Sequence, residues 1–534
     1  MRRLRVVGLL SLAVLAAVSA RAEVVMVPMH DGTKLATEYL LPNGGGTSPV
    51  ILLRSPYGRP RAVPFAKLFN DSGFAFVVQD TRGRGDSEGR DMVFADDGWG
   101  AHKDGADTVD WLRAQPWCNG KVGTWCYSAL GITQNMMAPA TDKLTCQSMA
   151  TTPCSFYGQV AYEGGVLRKE LIETWLGWQK SLHVLDIYKS HTTYDDFWAL
   201  HNVGDQAAKI TSPAVHISGW FDAFGQGTVD NFVSRQNRGG VGARGNQKLI
   251  MGPWTHAGPS RKAGELEFPE NAKFDINTYQ IRFFRHWLLG ENNGIMGEPA
   301  VHYYAMGDVA EPGAPGNEWR TADAWPPFEA KDTPYYLQAE GGLALDKPPK
   351  DASRTFTYDP ANPCPTRGGD CLTVPPGPMD QRDVSGRADV LKFESSVLDA
   401  PLEVTGRINA KLYVSTDAPD TDFTAKLVDI YPDGREILIQ DGIRRLKFRN
   451  GYQGAEPLPA GKVAGLDIDL WTTSIIFNKG HKIGVQVSSS NYPRFEKNPN
   501  SGDDFPSESN LHVAHNTVHI SSEYPSAVIL PVRP

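Results

Sequence analysis

Apolar residues along this chain change their spacing twice, and the two changes divide it into three stretches. Between residues 24 and 154, strand-length apolar runs at Val50–Leu53, Phe74–Gln79, Lys121–Trp125 and Gln147–Thr152 follow a hairpin that turns at Asp31-Gly32. A helix-spaced stretch near Gly105–Arg113 lies between the second and third of them. Such runs, alternating with helical segments, predict a largely parallel sheet covered on both faces. From 155 to 212 the rhythm is lost. Helix-like patterns rich in Trp175, Trp178, Tyr188, Phe197 and Trp198 predict a helical insertion there. The strand pattern resumes at Ala214–Ser218 and Lys248–Met251, expected to be the last two strands, and a helix follows around Ile276–Leu289. Beyond Thr333 the period becomes two. Val404–Val414, Phe423–Ile430, Glu436–Asp441 and Lys482–Ser488, separated by turns such as Pro432-Asp433-Gly434, predict an antiparallel sandwich. The expected division is residues 23–154 and 213–332 for the sheet domain, 155–212 for a cap, and 333–534 for the all-β domain. Dense proline and glycine from 346 to 381 mark a loop or linker.

Three chemically useful residues stand just past strand-like runs. Ser128 follows Lys121–Trp125, Asp222 follows Ala214–Ser218, and His256 follows Lys248–Met251. Nucleophile, acid, base is the chain order of an α/β-hydrolase triad, and the carboxyl ends of parallel strands are where such a sheet presents its reactive groups. A serine is activated only if a base takes its proton and a carboxylate orients that base. His256 is the candidate base and Asp222 the candidate orienter. The turn lacks the usual Gly-x-Ser-x-Gly, because Cys126 occupies the first glycine site and Leu130 the second. Acyl transfer also needs donors for the developing oxyanion. The Ala129 backbone N–H, one residue past the nucleophile, is one candidate. Tyr57, leaving the strand Val50–Leu53 in Arg54-Ser55-Pro56-Tyr57, is the second.

The opening of the sequence bears on compartment. Arg2, Arg3 and Arg5 precede an apolar stretch from Val6 to Ala20, and Ala20-Arg21-Ala22 supplies a small-x-small site. Residues 1–22 therefore read as a cleavable export signal with the cut after Ala22, giving a periplasmic or secreted product with no membrane span after its removal. Loss of its four arginines takes the formal net charge from −8 to about −12, which argues against nucleic-acid binding. Six cysteines suit an oxidising compartment. If the strands at Lys121–Trp125 and Gln147–Thr152 are parallel neighbours, their ends lie roughly 5 Å apart. That spacing predicts Cys118–Cys146 and Cys126–Cys154, with Cys364–Cys371 closing the Pro/Gly-rich loop. No Cys-x-x-Cys spacing occurs, and no metal site is expected.

Several segments together resemble the bacterial cocaine esterase group, which includes α-amino acid ester hydrolases, glutaryl cephalosporin acylases and, more distantly, X-prolyl dipeptidyl-peptidases. They are Arg54-Ser55-Pro56-Tyr57, Gln79-Asp80-Thr81-Arg82-Gly83, Ser87-Glu88-Gly89, the run from Ser128 to Gln134, Gly219-Trp220-Phe221-Asp222 and Gly252-Pro253-Trp254-Thr255-His256. Downstream, the run from Asp417 to Phe423 and the run from Ser489 to Phe495 look like that group's carboxyl-terminal jelly roll. The resemblance implies an α/β-hydrolase domain with an inserted helical cap and an all-β jelly-roll domain. It also implies a serine esterase or amidase without cofactor or metal. By position, Ser128, His256 and Asp222 would be nucleophile, base and partner, with Tyr57 and the Ala129 amide as oxyanion hole. Phe224 resembles an acyl-pocket aromatic, and Trp220, Trp254, Trp175 and Trp178 are further pocket candidates.

Two departures bear on function. The group usually carries glycine where Cys126 stands and tyrosine where Ala129 stands. The amino-acid ester hydrolases look to have acidic residues just after the triad aspartate, whereas Ala223 and Phe224 follow Asp222 here. The expected substrate is thus a small-molecule ester with a neutral or aromatic acyl group. The alternatives are a dipeptidyl-peptidase-like or cephalosporin-acylase-like amidase and, in a different class, a ligand-binding protein on a hydrolase scaffold. A jelly roll offers a surface for pairing with a second copy, though nothing in the sequence requires a homo-oligomer. Arg84-Gly85-Asp86 lies in a segment shared with the group and reads as structural.

Overall fold

The computed structural model describes residues 22–349 and 351–534. The proposed leader thus lies outside the described residues except for Ala22. The chain opens with a hairpin, β1 (Ala22–Pro28) and β2 (Lys34–Leu40). It continues through β3 (Ser48–Ser55), α1 (Ala66–Asn70), β4 (Ala75–Asp80), α2 (Asp104–Arg113), β5 (Cys118–Tyr127), α3 (Ala129–Met137) and β6 (Cys146–Ala150). Every residue of β3 and β4 is buried, as expected for strands covered on both faces.

The segment after β6 forms the cap. It holds a short hairpin, β7 (Tyr162–Glu163) and β8 (Val166–Leu167), then helices α4 (Lys169–Gln179), α5 (His183–Ser190) and α6 (Asp196–Ala199). The sheet resumes with β9 (Ala214–Phe221), α7 (Gly225–Arg238) and β10 (Gln247–Thr255). A two-stranded ribbon follows, β11 (Lys262–Ala263) with β12 (Leu266–Glu267), and then α8 (Ile276–Phe284). Two further strands, β13 (Val301–Ala305) and β14 (Glu318–Ala322), extend the sheet beyond β10. The order is β1-β2-β4-β3-β5-β6-β9-β10-β13-β14, parallel from β4 to β13 and antiparallel at both edges. The expectation that the sheet ends at Lys248–Met251 is corrected by β13, which pairs in parallel with β10.

The carboxyl-terminal part is β-rich, with one short α-helix at Arg382–Ser385. Its strands are β15 (Lys331–Leu337), β16 (Gly342–Ala344), β17 (Ala352–Tyr358), β18 (Leu391–Ser395), β19 (Leu402–Thr416) and β20 (Asp422–Ile430), then β21 (Glu436–Arg445), β22 (Ala464–Phe477), β23 (Lys482–Ser488), β24 (Ala514–Ile520) and β25 (Ala527–Val532). Pairing is antiparallel except between β16 and β18. This jelly roll shares one buried apolar cluster with the first domain, in which Trp220, Phe221 and Leu249 join Leu412, Ile468 and Val485. Met306, just past β13, exchanges backbone hydrogen bonds with β22, from its N–H to the Ser474 carbonyl (3.0 Å) and from the Ile476 N–H to its own carbonyl (2.9 Å).

All six cysteines are free and buried, which corrects the expected disulfides. Strands β5 and β6 are parallel neighbours, but their register sets Gly123 opposite Cys146 and Cys126 opposite Met149. Cys118 instead pairs across to Ser48. It therefore stands about five residues, or roughly 16 Å, along the strand from the level of Cys146. Cys154 lies past the end of β6, beyond the level of Cys126. In the linker, the Cys371 thiol turns to the Gly368 carbonyl (3.5 Å) and the Cys364 thiol toward that of Pro365. Among the described residues no helix is long and apolar enough to cross a membrane.

Candidate active site

Ser128 occupies the turn between β5 and α3 with φ 54° and ψ −133°, a conformation L-residues rarely adopt. Its N–H donates to the Ala150 carbonyl (3.0 Å) and to Thr151 Oγ1 (3.1 Å), which ties the turn to the end of β6. Cys126 has φ 148°, and a glycine there would meet no Cβ penalty. The close-packing glycine of this turn is Gly131. A Cβ on it would stand 2.4 Å from Thr152 Cγ2, so its absence lets α3 lie against the ends of β5 and β6. Burial pushes the Cys126 thiol up to about 12. It stays protonated at neutral pH and is no rival nucleophile.

The three distant candidates meet at the carboxyl edge of the sheet. The Ser128 hydroxyl donates to His256 Nε2 at 2.9 Å, and His256 Nδ1–H donates to Asp222 Oδ2 at 3.1 Å, a tautomer that satisfies both contacts. Asp222 is fully buried, and its other oxygen accepts the Phe224 backbone N–H at 2.6 Å. The Phe224 ring stands edge-on to the His256 ring, with centroids 5.5 Å apart.

Tyr57 lies beside the same turn. Its hydroxyl oxygen accepts the Trp175 indole N–H at 3.0 Å, leaving its own proton for another acceptor. Burial is the main cause that pushes this phenol up to about 12, so it remains a donor at neutral pH. The Ala129 N–H begins α3, where no intrahelical acceptor exists.

A narrow apolar pocket opens beside Ser128 and Ala129. Phe224 and Trp175 line it, together with residues the sequence did not single out, among them Val93, Phe94, Phe156 and Leu372. Val93 and Phe94 carry φ of 42° and 63°, strain that turns both side chains into the pocket wall. Leu372 comes from the linker to the jelly roll. Glu170 at the start of α4 grips that linker by accepting from Thr373 N, Thr373 Oγ1 and Val374 N. A wider groove borders His256 on another side, with Tyr127, Trp254 and Asp275 in its wall.

Two pocket expectations are corrected. Trp178 is 62% exposed on the cap surface, because it sits on the outer face of α4 while Trp175 faces in. Trp220 is buried against Trp325 and donates to the Tyr304 carbonyl (2.8 Å), serving the core between the domains. Trp254 packs against Trp319, donates to the Ala272 carbonyl (2.9 Å) and stands in the wall of the wide groove beside His256, away from the pocket beside Ser128.

An α/β-hydrolase core with an inserted cap and a carboxyl-terminal jelly roll is the class that this architecture defines. Residues 31–183 and 178–258 match the model of the X-Pro dipeptidyl-peptidase (S15 family), and residues 293–529 match the X-Pro dipeptidyl-peptidase C-terminal non-catalytic domain. The chain is 32% identical to the cocaine esterase of Rhodococcus sp. (strain MB1 Bresler) over 95% of its own length and 98% of that protein's. Among solved structures, an α-amino acid ester hydrolase is 25% identical with a TM-score of 0.81, covering 98% of both chains. An aminopeptidase from the marine sediment archaeon Thaumarchaeota archaeon gives the same score and identity over 96% of each chain. The chain belongs to the cocaine esterase family of serine hydrolases, and is an enzyme of that class.

Proposed function

We propose that this chain is an exported esterase that cleaves small-molecule carboxylic esters through an acyl-enzyme. The observation that carries the reading is the unbroken line of hydrogen bonds from Asp222 through His256 to Ser128, ending at the mouth of an apolar pocket. In this mechanism His256 Nε2 takes the proton as Ser128 Oγ attacks the carbonyl carbon, and Asp222 holds the imidazole and stabilises its charge. Tyr57 and the Ala129 amide donate to the oxyanion. Collapse of the tetrahedral intermediate breaks the bond to the alcohol, which receives the proton from His256. Water then attacks the acyl-enzyme by the same route and releases the acid.

The acyl group fits the pocket under the cap, whose lining is apolar apart from Ser128 and the Tyr188 hydroxyl and includes no carboxylate. An α-ammonium group has no counter-ion there, which favours a neutral acyl group over the substrates of an aminopeptidase or amino-acid ester hydrolase. The wider groove beside His256 leaves room for a bulky alcohol. The basic and apolar leader supports export.

The test is covalent labelling with a fluorophosphonate, followed by a panel of esters and amides varied separately in their acyl and alcohol parts. Label on Ser128, and a loss of about a million-fold in turnover for Ser128→Ala, are the expected results. Near-normal activity of Ser128→Ala on p-nitrophenyl esters overturns the assignment, and a preference for amides with a free amino terminus overturns the substrate class.

A further inference from the structure

The peptide group between Ala223 and Phe224 carries a hydrogen bond at each end. Its N–H donates to Asp222 Oδ1 at 2.6 Å, and its carbonyl accepts Nη1 of Arg168 at 2.9 Å. A single line of polar contacts thus runs from a cap guanidinium through one peptide plane to Asp222, then to His256 and Ser128. Arg168 lies just before α4 and is 1% exposed. The same guanidinium also donates to the Gln159 carbonyl in the cap and to the Asp370 carbonyl in the linker (3.2 Å). Its flat face lies over the Trp471 ring of β22, 5.2 Å from the centroid. One side chain therefore touches the cap, the linker, the jelly roll and the loop that carries Asp222.

We propose that Arg168 is a positioning residue for the reaction: braced by Trp471 and the Asp370 carbonyl, it fixes the Ala223–Phe224 peptide and through it the carboxylate of Asp222. Hydrogen bonds in series polarise one another in a water-poor interior, so a donor on the carbonyl strengthens the N–H that holds Asp222. A planar fork that meets three carbonyls at once has no equivalent in lysine. The jelly roll adds a second grip, since Gln440 of β21 donates to the Trp220 carbonyl at 2.7 Å, two residues before Asp222. A domain whose described residues make no hydrogen bond to the three reacting side chains thereby helps set their geometry. Phe224, on the far side of the same peptide, both lines the acyl pocket and packs against His256, so loosening this plane disturbs the site from two directions.

The inference rests on the esterase reading, and the experiment separates the two. Active sites of wild type, Arg168→Met and Arg168→Lys are counted by fluorophosphonate titration, and kcat and KM are then measured per titrated site. Misplacing a group by about 1 Å costs on the order of a hundredfold in rate. The expected result for Arg168→Met is a fall of that size in kcat per site, a parallel slowing of labelling, and KM within about threefold of wild type. Arg168→Lys should recover part of the loss. A merely structural role would lower the number of titratable sites and leave the rate per site unchanged, which overturns the proposal. If Arg168→Met does not accumulate folded, Arg168→Lys decides: a drop of about tenfold or more in kcat per site supports it, and a wild-type kcat overturns it. Failure of the wild type to take label at Ser128 counts against the esterase reading instead.

Discussion

At the scale of single residues, the proposed reactive groups were readable as candidates because each needed a particular side chain behind a particular strand. Ser128, Asp222 and His256 stand where β5, β9 and β10 end, and the sequence places all three in the required order. Tyr57 follows the same logic after β3, and its proposed role makes a clean prediction. Tyr57→Phe keeps the ring against Trp175 and removes only the hydroxyl, so kcat on a neutral ester should fall by about a hundred- to a thousandfold with KM little changed. A Tyr57→Phe enzyme with wild-type kcat would assign the oxyanion to other donors. The pocket was less legible. Tryptophan is large and apolar wherever it falls, and only the burial pattern separates Trp175, which faces the serine, from Trp178 on the outer surface and Trp220 in the core. Arg168 left no signal, because a lone arginine ahead of a helix carries no mark of the carbonyls it will meet.

The element that decides the geometry of the site is the turn from β5 into α3. Its sequence departs from the usual glycine pattern, but the close approach is supplied one position later, by Gly131 against Thr152. Gly131→Ala should therefore push α3 away from the strand ends, lowering both melting temperature and kcat, with an overpacking cost of about 1–3 kcal/mol. Thr152→Ser, which deletes the methyl in the way, should restore part of both in the double variant. Additive losses in that cycle would show that the two positions do not meet. Strand existence was legible from apolar runs, whereas register was not. The disulfide expectation needed the relative stagger of β5 and β6, which spacing along one strand does not contain. The outermost strands were also hidden, since β14 (Glu318–Ala322) has no fully buried residue and reads as a polar loop.

For the whole molecule, the jelly roll and the sheet domain share one buried apolar cluster, so acid should unfold them together. His216 in β9 is fully buried, and its Nε2 lies 2.9 Å from Gln247 Oε1. Burial, aided by the nearby Arg235, pushes it down to about 3 from the usual 6.5. Between about pH 6.5 and 3 the unfolded chain binds this proton and the folded chain does not, so stability falls as the pH falls through that window, by up to about 1.4 kcal/mol per pH unit. His216→Gln, which keeps an amide toward Gln247, should show a smaller loss in urea midpoint between pH 7 and pH 5 than wild type. An equal loss would remove His216 from the account. The unbonded sulfurs have a practical corollary. A chain whose native form contains no cross-link has no need of an oxidant or a thiol isomerase to mature, so a reducing bacterial cytosol should yield active enzyme from DNA encoding residues 23–534 as readily as an oxidising compartment does.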